Sequence, residues 1–146
     1  MGIKNNSFLL RVLRSLLERG IYLEWSCKFW GSMNKPTFFT LEEVKGLDQE
    51  LVAKLDWARG RAGVPFTITC GVRTEEENNA VGGVPDSAHL KGLAVDIRCQ
   101  DSAARFKMVN AMLLAGFKRI EIGTLHVHVD VDGTKPQEVM WTGISS

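Results

Sequence analysis

Three histidines, His89, His126 and His128, are the only ones in the chain, and all fall in two short carboxylate-bearing stretches. The first runs Ser87-Ala88-His89-Leu90-Lys91-Gly92-Leu93-Ala94-Val95-Asp96, and the second His126-Val127-His128-Val129-Asp130. Imidazole is the commonest metal-ligating side chain and suits zinc. If Leu93–Arg98 and Leu125–Asp132 are strands, alternation places Asp96 on one face with Ala94, and His126, His128, Asp130 and Asp132 together on one face. Antiparallel pairing then brings Asp96 and His128 within about 5 Å at Cβ, a span one zinc ion can bridge. His89 would lie about 10 Å from Asp96 on a continuous helix, but a turn at Gly92 returns it to the strand. The expected metal set is therefore His89, Asp96 and His128, holding one zinc per chain. Three protein ligands leave a fourth position for water, as in catalytic zinc sites. Hydrolysis also needs a proton carrier. Glu121 and His126 are the two candidates, and Asp130 is placed to orient a ligand histidine from behind.

The elements that must position these residues follow from local patterns. Thr40-Leu41-Glu42-Glu43 is a capping box that predicts a short helix from Thr40 to about Gly46. Asp48 caps a second helix carrying Leu51, Leu55, Ala58 and Ala62. Phe66–Cys70 is a strand candidate. Thr74–Asp86, polar and containing Gly82-Gly83 and Pro85, reads as a long loop. Asp101-Ser102 caps a helix with Phe106, Val109, Met112 and Leu113 inward, ending at Gly116. Arg119–Ile122 reads as a strand, and Leu125–Asp132 alternates strictly, with Leu125, Val127, Val129 and Val131 toward the core. Helices and strands mix without a βαβ rhythm. The expected class is α+β, a mainly antiparallel sheet flanked by helices.

The chain has 146 residues and a net charge of +1, enough for one domain with a core and no electrostatic reason to expect nucleic acid. Cys27, Cys70 and Cys99 are too few and too widely spaced for a disulfide framework, and no C-x-x-C pattern occurs. Residues 1–33 differ from the rest: Phe8, Leu9, Val12, Leu13, Leu16 and Leu17 recur at helical spacing among arginines, predicting an N-terminal amphipathic helical extension ahead of a domain spanning 34–146. There is no apolar run of membrane-spanning length and no recognisable signal peptide. The expectation is cytoplasmic synthesis and release by another route. Asp130-Val131-Asp132-Gly133 lacks the rest of a calcium loop and reads as a turn.

The two motifs, with Gly71-Val72-Arg73-Thr74, Asn79-Ala80-Val81-Gly82-Gly83, Gly116-Phe117-Lys118-Arg119-Ile120 and Lys135-Pro136-Gln137, resemble the zinc D-Ala-D-Ala carboxypeptidases and phage peptidoglycan endopeptidases. That fold is shared with the amino domain of hedgehog proteins. The likeness runs from about Phe38 to Trp141. It implies zinc on His89, Asp96 and His128, and substrate holding or charge stabilisation by Arg73. It also places Ser87 near the substrate. The family's general base usually lies a few residues before the last histidine, often three, where this chain has Leu125. Glu121 reaches the site only if the Gly123-Thr124 turn folds back, and His126 resembles the first histidine of a paired-histidine variant. The implied activity is a zinc metallopeptidase, carboxypeptidase or endolysin-type endopeptidase, acting on peptidoglycan peptides. Release by phage or prophage lysis would then serve as its export route, and a monomer is expected. The alternative is a non-catalytic zinc-binding module that recognises cell-wall peptide or a protein partner.

Overall fold

A computed structural model describes residues 35–143; the amphipathic segment and Cys27 lie outside them. Helix α1 spans Gln49–Ala62. Asp48 caps it, its carboxylate accepting from the amides of Glu50 and Leu51, and Gly63 closes it in the left-handed region at φ 62°. Strand β1 (Ile68–Cys70) follows, then helix α2 (Glu75–Ala80), a single 3-10 turn (Ala88–Lys91), strand β2 (Ala94–Arg98) and helix α3 (Ser102–Leu114). Strands β3 (Arg119–Ile122), β4 (His126–Asp130) and β5 (Val139–Thr142) complete the sheet. The fold is α+β. The strand order is β1-β2-β4-β3-β5; every pairing is antiparallel except β3 with β5.

Alternation divides the sheet into two chemically opposite faces. Val95, Ile97, Ile120, Val127 and Val129 are all at most 1% exposed. With Leu51, Leu55, Met108 and Met112 of α1 and α3 they form the core. The other face carries the motif residues.

Several expectations need correction. The Thr40 capping box forms, with the Glu43 amide donating to Thr40 Oγ1 and the Thr40 amide to Glu43 Oε2, but only turns follow it. The segment read as one loop from Thr74 contains α2. Its start is a second capping box in which Thr74 and Glu77 each accept the other's amide, and Thr-x-x-Glu was visible in the sequence. In α3 the buried stripe is Met108, Ala111 and Met112, whereas Phe106 is 75% and Leu113 51% exposed. A 3.6-residue period accommodates both stripes, and the one that docks is rotated toward the small Ala111. Leu125 was expected in the core but is exposed: the strand begins one residue later, and the Leu125 carbonyl sits in the turn, accepting from the Cys99 amide at 2.8 Å. Asp130 and Asp132 share the motif face but not its solvent, since both are buried against cations. Strand β5 had no expectation. Cys70 and Cys99 are free thiols.

Candidate metal centre

Strand register lays the motif residues out in rows. Cys70 opposes Asp96, Asp96 opposes His128, His128 opposes Glu121, and Glu121 opposes Trp141. One line of side chains therefore crosses all five strands. A second line holds Ala94, Asp130, Arg119 and Val139, and a third pairs Arg98 with His126.

His89 enters from outside the sheet, on the 3-10 turn. Ser87 caps that turn, its hydroxyl accepting from the His89 amide. Gly92 ends it at φ 69°, a conformation that costs other residues strain. A Cβ at Gly92 would also meet the backbone carbonyl of Gly46. The reversal inferred at Gly92 is thus what returns His89 to β2.

Three ligating atoms converge. His89 Nε2 lies 3.2 Å from His128 Nδ1, His128 Nδ1 lies 2.9 Å from Asp96 Oδ1, and His89 Nε2 lies 3.4 Å from that same oxygen. Two ligands about 2.0–2.1 Å from a tetrahedral zinc sit about 3.3 Å apart, so the triangle has the dimensions of three zinc vertices. The far nitrogen of each imidazole is held. His89 Nδ1 donates to the Gly71 carbonyl at 2.7 Å, and His128 Nε2 faces Asp130 Oδ2 at 3.3 Å. Asp130 is fixed in turn by Arg119 Nε at 2.8 and 3.0 Å. These outer bonds leave His89 Nε2 and His128 Nδ1 as the nitrogens that face each other, the arrangement metal-binding histidines adopt.

The charges fit a cation. Without metal, burial works against charging His128, but hydrogen bonds to Asp130 and Asp96 outweigh it and raise its pKa to about 9. Burial likewise opposes ionising Asp96, yet hydrogen bonds to His128 and His89 hold its carboxyl well below the usual range. A proton on His128 thus sits between carboxylates where a metal would neutralise the same charge.

Cys70 flanks the group. Its sulfur, His89 and Asp96 offer ligating atoms within 4.8 Å of one another. However, Sγ approaches His89 on the Nδ1 side, at 3.8 Å, where the nitrogen already bonds Gly71. Burial also pushes the thiol pKa up, against the lowering effect of Arg73, which disfavours the thiolate a metal needs. The histidine-histidine-aspartate triangle converges better.

A sequence model of the family described as Peptidase M15 matches residues 15–132. The chain belongs to the peptidase M15 family. This is a family of metallopeptidases, usually zinc-dependent, and its fold class agrees with the α+β sheet above. A search of the curated proteins found no match to this chain.

Within this M15 chain the remaining predicted residues take definite places. Arg73 NH2 donates to Asp96 Oδ2 at 2.9 Å and its Nε to Cys70 Sγ at 2.9 Å. The guanidinium thus holds the second oxygen of Asp96, the role of an outer partner rather than of a group facing open solvent. Ser87 is buried and acts as the cap of the His89 turn. Glu121 does come back to the site, because β3 and β4 form a hairpin that sets it directly opposite His128. Its Oε2 accepts from Trp141 Nε1 at 2.8 Å, while His126 Nε2 stands 3.9 Å from Oε1. His126 lies one row away, opposite Arg98. Trp141 escaped the sequence reading. Val139-Met140-Trp141-Thr142 has no apolar–polar alternation, so no short-range pattern marks it as a strand.

Proposed function

We propose that this chain is a zinc-dependent peptidase that hydrolyses peptide bonds of peptidoglycan, with residues 34–146 as the catalytic domain. The observation that carries the reading is the triangle of His89 Nε2, Asp96 Oδ1 and His128 Nδ1, with a carboxylate, Glu121, on the adjacent strand. His89, Asp96 and His128 would hold the ion. Bound there, zinc would supply a water acidified to a pKa of about 7 and a Lewis acid for the scissile carbonyl.

The protein's own groups account for the rest. Glu121 is the anion nearest the triangle in the row, so it takes the proton of the attacking water on Oε1 and returns it to the leaving amine. Trp141 holds Oε2 and leaves Oε1 as the working oxygen. Gly143 keeps that position open, because a Cβ there would occupy the place of Oε1. Arg73 and Asp130 keep two ligands aimed. His126 stands a row further out and contacts Glu121 or the substrate. Synthesis in the cytoplasm followed by release on lysis suits this activity.

Mass spectrometry of purified peptidoglycan digested with zinc-loaded protein tests the reading and identifies the bond. New peptide termini that vanish with chelator, and in His89→Ala and His128→Ala, are expected. Stoichiometric zinc with no cleavage would leave a binding module instead.

A further inference from the structure

The third row of the outer face opens onto a groove of about 440 Å³ lined by Thr69, Asp96, Arg98, Gln100, Leu125 and His126. It shares Asp96 with the metal triangle, so whatever occupies it lies beside the reacting centre. Arg98 is exposed, and among the described residues no carboxylate forms an ion pair with it. Asp96, the one carboxylate in the lining, is already engaged by Arg73 at 2.9 Å and His128 at 2.9 Å. A cation at the triangle would make the groove more positive still. The other walls are the hydrogen-bonding side chains of Thr69, Gln100 and His126 and the exposed side chain of Leu125.

We propose that this groove is a subsite for a free carboxylate on the peptide substrate, borne by an acidic residue within one or two residues of the cleaved bond. The proposal rests on the peptidase reading above. Three observations support it. Arg98 presents a fork of donors that matches a carboxylate bidentately. Leu125 gives an apolar wall for the methylene stem of an acidic side chain, which an inorganic anion would not use. Finally, Arg98 stands two positions along β2 from Asp96, about 7 Å at the strand rise. An extended peptide covers that distance in two residues, which sets the spacing between carboxylate and scissile bond.

The test compares two stem pentapeptides that differ only in whether the carboxylate of the acidic stem residue is free or a carboxamide. Binding is measured by calorimetry with zinc-loaded Glu121→Gln protein, and KM and kcat with the unsubstituted enzyme. The free carboxylate is expected to bind about tenfold more tightly, the gain typical of a charge-assisted hydrogen bond at a partly solvated site. Arg98→Gln should erase that preference and raise KM with little change in kcat, and Arg98→Lys should restore part of it. Equal affinity for both peptides, or a preference that survives Arg98→Gln, would overturn the subsite while leaving the peptidase reading intact. An Arg98-dependent preference without hydrolysis by the unsubstituted protein would keep the subsite and overturn the peptidase.

Discussion

His128 Nδ1 lies 2.9 Å from Asp96 Oδ1 on the neighbouring strand, at a register position where the two residues directly oppose each other. In metal-free protein a proton on His128 occupies this contact, and its pKa is raised to about 9. Zinc must displace that proton. Calorimetry in buffers of different ionisation enthalpy should therefore show about two protons released per zinc near pH 8, one from His128 and one from a bound water with a pKa of about 7, falling toward about one above pH 9. Release that does not change with pH would contradict the assignment of His128.

The same shift fixes how the metal-free protein responds to pH. A raised histidine pKa contributes stability that is complete below about 6.5 and lost as pH rises through about 9. The lowered carboxyl of Asp96 contributes stability that is present above about 3.8 and lost on acidification. The melting temperature of metal-free protein should fall from pH 6.5 to 9, and saturating zinc should flatten that slope. A flat metal-free profile would count against the buried pair.

Asp130→Asn should weaken zinc binding about 10- to 100-fold, as loss of a carboxylate behind a ligating histidine commonly does. Arg119, which holds Asp130 through Nε, would keep an acceptor in the amide oxygen. The fold should survive, as circular dichroism can confirm, and a chelator competition would read the affinity.

Gly143→Ala should lower kcat by up to about a hundredfold while leaving zinc stoichiometry at one. The added Cβ takes the place of Glu121 Oε1, and small displacements of a reacting group have costs of this size. Unchanged kcat in Gly143→Ala together with unchanged kcat in Glu121→Gln, which removes the base without moving it, would remove Glu121 from the reaction.

Met108→Ala should cost about 2–5 kcal/mol in urea denaturation, because Met108 is 3% exposed. Phe106→Ser should cost less than about 0.5 kcal/mol, because Phe106 is 75% exposed. The pair distinguishes the observed phase of α3 from the stripe that its large apolar residues first indicate.

What was legible in the sequence depended on how local its cause is. The alternation in Ala94–Arg98 and His126–Asp130 is a property of each strand alone, so the facing of Asp96 and His128 could be derived before any pairing was seen. Gly92 announced its turn because few other residues tolerate it. Glu121 depended on a hairpin whose register only the assembled sheet fixes. Trp141 depended on a parallel pairing between strands 20 residues apart (Glu121 with Trp141), which no short-range pattern encodes. Side-chain size points to the Phe106 stripe of α3, but the face that docks is the one where the small Ala111 permits close approach.

The row through Cys70, Asp96, His128, Glu121 and Trp141 also carries a built-in proofreading of assembly. Slipping β2, β3 or β4 by one residue would turn its share of the row inward and its valines or isoleucines outward. A molecule with a misplaced β4 would bury a histidine and expose apolar side chains, so it would be too unstable to persist. Chains that survive folding are then, by the same physics, chains whose reactive groups stand in line.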